Sequence, residues 1–234
     1  MLAPRRLALV LTTLAVVASA LLQGCGDQQG AASTRASRTA PPPPAPRVEE
    51  TAPSGVRLED DFDLYQEWID GFARRSDLAL PSEWNLLESG ERMPTGCGDA
   101  TARSYLYCPA DNQVYAGETM MSSLVDHDGV MAPGIGLAHE WAHAVQARAG
   151  ITTAGPAVEE QADCIAAAWY DDVAHNHPAL HLVGTPEVGP ALTDVGAAEH
   201  GSGTDPAPDA AIAAAHRGIG ACSDYFPERP LTGH

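Results

Sequence analysis

Lysine is missing from all 234 residues, so Arg supplies all 13 of the cationic side chains that face 31 acidic ones, and the formal net charge is −18. A chain this acidic repels a phosphate backbone, which argues against nucleic acid as a partner. None of the five cysteines stands in a CxxC spacing, so the usual cysteine zinc site is disfavoured. Internal repeats are absent, and 234 residues suit one comfortable domain better than two. Little Lys with abundant Ala, Arg, Pro and Gly points to a GC-rich bacterial genome.

The first 25 residues have the order of an export signal: Arg5 and Arg6, an almost unbroken apolar run from Leu7 to Leu22, then "LLQGC". A Cys directly after a small Gly resembles the bacterial lipobox, in which Cys25 is lipidated and becomes the first residue of a membrane-anchored, extracytoplasmic lipoprotein. An ordinary signal peptide or an uncleaved anchor are the alternatives. Residues 26–57 shift to Ala, Ser, Thr, Pro and Arg, including "APPPPAPR" at Ala40–Arg47. They hold too few large apolar side chains to offset the entropy of ordering, so a disordered linker is expected before a folded domain at 58–234. With Cys25 set aside, four cysteines remain, which in an exported chain reads as two disulfides in one of three pairings. The short loop favours Cys97–Cys108, leaving Cys164–Cys222.

Within the folded part, Leu58, Phe62, Tyr65, Trp68, Ile69 and Phe72 recur at helical steps, with acids first and Arg74 and Arg75 last, as the helix dipole favours. A shorter helix is expected at Ser82–Ser89, two strands at Ser104–Cys108 and Asn112–Gly117 with a turn between, and a helix fragment at Glu118–Val125. From Gly134 to Ala149 the residues Ile135, Ala138, Ala142, Val145 and Ala149 form one buried stripe, and His139, His143 and Gln146 form a neighbouring one. Gly150 stands where such a helix stops. Pro156 opens another, to about Val173, because proline suits a first turn. Beyond His177 Gly and Pro break the pattern until a last helix at Asp209–Arg217.

The stretch "LAHEWAHAVQ", Leu137–Gln146, carries an HExxH pattern. Side chains at i and i+4 on a helix lie about 5–6 Å apart at their Cβ atoms, close enough for two imidazoles to share one ion. Zinc takes such ligands at about 2.0–2.1 Å and keeps a corner for water. Glu140 would then accept a proton from the zinc-bound water rather than ligate. The HExxHxxGxxH continuation of metzincins fails, because Gln146 and Ala149 occupy its positions. Gluzincins instead take a Glu from a second helix, in an ExxxD pattern. "EEQAD" supplies it sixteen positions beyond His143, with Glu159 as the third ligand and Asp163 as acceptor of a ligating histidine's free N–H. Glu160 is the rival ligand, without an acid at i+4.

"LAHEWAHAVQ" and "EEQADCIAAAW" resemble the bacterial neutral zinc metallopeptidase family, whose members carry HEWGHxVQ and ELQADCxAGxW. "YCPADNQVY" at Tyr107–Tyr115 is similar to that family's segment before the catalytic helix. The resemblance spans Cys97 to Cys222 and implies a zincin-like α+β fold, mostly helical, with a small sheet beside the HExxH helix. It implies one Zn2+ held by His139, His143 and Glu159, Glu140 as base, and a peptide or protein substrate. Ala142 departs from the family's Gly and Glu160 from its Leu, while "HGSG", His200–Gly203, is all that survives of a later family stretch. His200 and Tyr170 are the candidates for steadying the transition state, and the strand at Asn112–Gly117 could pair with an extended peptide.

The expected function is therefore zinc-dependent peptide-bond hydrolysis at the extracytoplasmic face. The alternative is a catalytically inactive, zinc-stabilised surface binding module. His175, His177 and His181 in "HNHPALH" fit no single helix face and read as a solvated loop rather than a second metal site. Asp126, His127 and Asp128 read as a polar turn. No feature of the sequence sets an oligomeric state.

Overall fold

The computed structural model describes residues 58–177, 188–200 and 208–231, which belong to the unit Thr51–His234; the side chains of 58–60 and 197–200 are outside the described set. The export-signal segment with Cys25, the linker 26–57, His181 and the "HGSG" run after its His200 backbone also lie outside it.

Helix α1, Leu58–Ser76, buries Phe62, Tyr65, Ile69 and Phe72, the stripe expected from their spacing. The Tyr65 hydroxyl donates to the Val130 carbonyl and Arg75 pairs with Asp172, which fixes the middle and the C-terminal end of this helix. Next come the strands β1 (Glu83–Leu87), β2 (Arg92–Thr95), β3 (Gly98–Thr101), β4 (Tyr105–Cys108) and β5 (Gln113–Gly117). Three of them form a sheet in the order β1-β5-β4, with β1 parallel and β4 antiparallel to β5. β2 and β3 form a separate antiparallel hairpin.

The expectation of a helix at Ser82–Ser89 is corrected: Glu83–Leu87 is a strand whose Glu83–Leu87 register runs against Gln113–Gly117. Five residues that mix Trp84, Leu86 and Leu87 with Glu83 and Asn85 are too few to show a decisive period. Here the backbone of β5, thirty residues further on, supplies the hydrogen-bond partners that a short helix would have had to find within itself. The β2–β3 hairpin went unseen because its strands hold no alternating apolar pattern; Cys97, in its turn, is bonded to Cys108 at the end of β4.

Five helical segments complete the body: α2 (Glu118–Asp128), α3 (Ala132–Arg148), α4 (Pro156–Asn176), α5 (Val188–His200) and α6 (Asp209–Ala215), followed by a 3-10 helix at Ile219–Tyr225. Asp126, His127 and Asp128 form the last turn of α2 rather than a loop, with His127 Nδ1 2.8 Å from the Ser123 carbonyl oxygen. α3 ends ahead of Gly150, whose φ of 74° only glycine adopts freely. α4 opens on Pro156, as a first-turn proline allows. α5 was hidden by Gly189, Pro190 and Gly196, yet Pro190 sits within its first turn and Ala191, Leu192 and Val195 are buried. The second disulfide, Cys164–Cys222, ties the 3-10 helix to α4.

The result is an α+β architecture, mostly helical, with a small sheet beside α3. Among the described residues no helix is long and apolar enough to cross a membrane. α3 is buried on all sides and not along one stripe, running from Ala132 to Gln146 with only His143 less than fully buried. Small residues let its neighbours approach: a Cβ on Gly134 would lie 2.7 Å from the Tyr65 ring and 2.9 Å from that of Trp169.

Gly134→Ala therefore sets two effects against each other. Helix propensity favours Ala by about 1 kcal/mol, while overpacking of a tight core costs about 1–3 kcal/mol. Two aromatic rings below 3 Å make the second larger. We expect a net loss on the order of 1 kcal/mol, read as a lower urea midpoint at unchanged slope.

Candidate metal centre

His139 and His143 stand one turn apart on α3, and their rings lie 4.9 Å apart and nearly perpendicular. Glu159 comes from the first turn of α4. Its Oε2 is 3.4 Å from His139 Nε2 and 3.5 Å from His143 Nε2, and all three ligand atoms lie within 4.8 Å of one another. Four donors at about 2.0–2.1 Å around a tetrahedral zinc are themselves about 3.3–3.4 Å apart. Hydrogen bonds between these atoms would be shorter, about 2.7–3.2 Å. His139 Nε2, although buried, makes none. The spacing and the orphaned nitrogen both fit a divalent ion such as zinc better than a hydrogen-bonded cluster.

Both imidazoles are held from behind. Asp163 Oδ1 lies 2.9 Å from His139 Nδ1, and Gln146 Oε1 lies 2.7 Å from His143 Nδ1. With each Nδ1 engaged, each Nε2 is left facing Glu159. The sequence pointed to Asp163 in this role but not to Gln146, which had served only to exclude a metzincin; its i+3 spacing from His143 was the available signal.

Charge explains the need for an ion. Three carboxylates, Glu140, Glu159 and Asp163, surround two imidazoles. Burial lowers the pKa of His139, but the bond to Asp163 and the nearby Glu159 and Glu140 more than offset it, pushing it up to about 10. Glu159 is held well below the usual carboxylate range by the two imidazoles, against the opposing effect of burial. A divalent cation would compete with a proton for the same nitrogen.

Glu140, adjacent to His139 on α3, is buried. Its Oε2 accepts a hydrogen bond from the Tyr107 backbone N–H of β4 at 2.6 Å, while Oε1 is buried with no hydrogen-bond partner. No side-chain signal marks a backbone N–H, so sequence reasoning could not have named Tyr107. Ala142, where the resembled family has Gly, is buried within α3.

Other expectations fare differently. Glu160 is outside the ligand cluster, which among the described residues is the one group of three His, Cys, Asp or Glu side chains spaced for a metal. Among the described residues His175 and His177 take part in no second such group, and the His177 ring stacks on Trp68 at 4.7 Å. Tyr170 lies on α4 eleven residues beyond Glu159, about 16 Å of helix rise. His200 closes α5, with its side chain outside the described residues.

Residues 7–157 match the model of a family described as "Putative neutral zinc metallopeptidase". The chain belongs to that family. No curated protein and no solved structure matches it. Family membership brings, at a coarse level, zinc as cofactor, a hydrolase of the metallopeptidase class, and a peptide or protein as substrate. The matched residues include His139, Glu140 and His143 and stop just short of Glu159, so the third ligand rests on the geometry described above.

That geometry separates neighbours. Glu159→Ala should weaken zinc binding well beyond the roughly 10–100-fold typical of an outer residue, while Glu160→Ala leaves it unchanged. Competition against a chromophoric chelator measures both, and equal losses would return the choice of ligand to the rival carboxylate.

Proposed function

We propose that this chain is an exported zinc endopeptidase in which His139, His143 and Glu159 hold the ion, Asp163 steadies His139, and Glu140 moves the proton. The observation that carries the reading is the Glu140 carboxylate: buried, one oxygen fixed by the Tyr107 N–H, the other without a hydrogen bond. A binding module stabilised by zinc needs the three ligands but has no use for a further carboxyl group kept in the interior at a desolvation cost.

Bound zinc supplies Lewis-acid polarisation of the scissile carbonyl and acidifies water. The chain's own part is proton transfer. Tyr107 N–H occupies Oε2, which leaves Oε1 of Glu140 to accept the proton of the attacking water and pass it to the departing amine nitrogen. The backbone anchor keeps this carboxylate from rotating between the two acts.

Strand addition at Asn112–Gly117 is corrected, since β5 is the central strand and has partners on both sides. The substrate surface is instead a cavity of about 220 Å³ beside His143 and Glu159, bounded by Tyr107, Ala147, Ile151 and Val158. Apart from the ligands, no acidic or basic side chain lines it. It therefore suits an uncharged, largely apolar substrate side chain next to the scissile bond.

Export and anchoring through Cys25 belong to the same proposal. The signal-like sequence of residues 1–25 supports them, and so do the two disulfides, which form in oxidising compartments. The linker 26–57 would then hold the catalytic domain away from the membrane.

Two measurements test the reading. Glu140→Gln should keep one zinc per chain and lose about 10²–10⁴-fold in turnover of a peptide library; cleavage at the wild-type rate, or cleavage indifferent to a chelator, rejects it. Ala147→Phe should shift the cleaved peptides toward smaller side chains beside the scissile bond, and an unmoved preference removes the cavity from the substrate site.

A further inference from the structure

Behind His143 runs a line of buried amides that the proposed chemistry has not used. Gln146 and Gln161 are 1% and 0% exposed. Gln161 Nε2 donates to the Cys222 carbonyl at 2.9 Å. Gln146 Nε2 donates to the Val158 carbonyl at 2.6 Å and to Gln161 Oε1 at 3.2 Å. Gln146 Oε1 then meets His143 Nδ1 at 2.7 Å.

The direction of this chain is forced. A backbone carbonyl can only accept, so Cys222 turns the Gln161 amide group toward itself and leaves Gln161 Oε1 as an acceptor. Val158 does the same to Gln146, whose Oε1 must then accept as well. An acceptor facing Nδ1 requires Nδ1 to carry the proton, which leaves the lone pair on Nε2, toward Glu159. Two carbonyls of different elements thus decide one tautomer. Gln161 and Cys164, three apart on α4, share a helix face, and both meet residue 222, one at its carbonyl and the other through the disulfide. Val158 directly precedes Glu159, so the Gln146 amide also ties His143 to the turn that presents the carboxylate.

We propose that Gln146 and Gln161 are positioning residues of the metal centre, a relay oriented by the Val158 and Cys222 carbonyls that holds His143 as its Nδ1–H tautomer with Nε2 toward the ion. The inference rests on the metal-centre reading above. It also accounts for an asymmetry: His139 is backed by a carboxylate, His143 by a neutral amide. In a pocket already holding three carboxylates, an amide sets direction without adding a fourth charge.

The test is zinc affinity by chelator competition, together with the visible spectrum of the cobalt-substituted protein. Gln146→Leu removes the acceptor from His143 and the donor from Val158. Gln146→Glu removes the same donor but keeps the acceptor. If the amide acts through His143, Gln146→Leu binds zinc about 10–100-fold more weakly and changes the cobalt spectrum, while Gln146→Glu restores both toward wild type. A merely structural tie to Val158 predicts equal loss in the two variants, and that result overturns the relay. So does wild-type affinity in Gln146→Leu. Gln161→Leu, which leaves Gln146 bonded to both Val158 and His143, provides the measurement if Gln146→Leu does not fold: a smaller loss in the same direction supports the relay, and none overturns it. A wild-type chain that binds no zinc would sink the metal-centre reading itself and the relay with it, whereas zinc in the wild type with unaltered variants sinks the relay alone.

Discussion

Three carboxylates brought next to two imidazoles inside an acidic protein constitute an electrostatic debt that only a cation or protons can settle, and the rest of the structure is arranged around it. Isolated buried charge costs several kcal/mol per ion even after relaxation. Glu140, Glu159 and Asp163 come from two helices, and with a net charge of −18 the surroundings offer them little relief. The nearest partners are the imidazoles themselves, and the surrounding carboxylates raise the pKa of His139 in spite of its burial. A divalent ion would offset the same charge, and it would lie where Glu159 Oε2 is already about as far from each Nε2 as a tetrahedral shell requires.

Packing makes this possible. To bring Glu159 of α4 against His139 and His143, α3 has to be enclosed by its neighbours, and a helix of large side chains could not be approached so closely. Gly134, Gly136, Ala138, Ala142 and Ala144 keep it narrow. A Cβ on Gly136 would meet the Tyr105 ring at 2.8 Å, so the sheet side is as close as the α1 and α4 side. Small residues carry little apolar area of their own, and the burial they allow comes from the aromatic groups pressed against them: Tyr65, Tyr105, Trp169 and, from α3 itself, Trp141.

The site was more legible than the scaffold. HExxH and ExxxD are local patterns on helices, and helix geometry converts such spacings into shared faces without any knowledge of the fold. His139, His143, Glu159 and Asp163 come together as that geometry requires. Longer helices were legible for the same reason, as Leu58–Ser76 and Pro156–Asn176 illustrate. What could not be read depends on distant chain. Glu83–Leu87 becomes a strand because β5 is there to pair with it, and α5 forms in spite of its Gly and Pro because α3 buries Ala191, Leu192 and Val195. The all-round burial of α3 is a tertiary fact, and its sequence stripe had indicated only one of the faces involved. Tyr107 acts through its backbone and Gln146 through a carbonyl on another helix, so neither role is written in residue type.

The two disulfides are placed where this arrangement would be most easily lost. Cys108 follows Tyr107, whose N–H holds Glu140, and Cys164 follows Asp163, which holds His139. Their loops differ, with sequence separations of 11 and 58, and the chain-entropy account gives each a contribution on the order of 3–4 kcal/mol. That is a sizeable share of the stability of an ordinary domain, about 5–15 kcal/mol. A core rich in Ala and Gly, with buried carboxylates at its centre, is short of stabilisation from apolar burial alone. Covalent links next to the two residues that orient the site supply it where displacement of a strand end or a helix turn would misalign the base or a ligand. Such links persist only in an oxidising compartment, so the chemistry of the pocket and the proposed destination of the chain depend on each other.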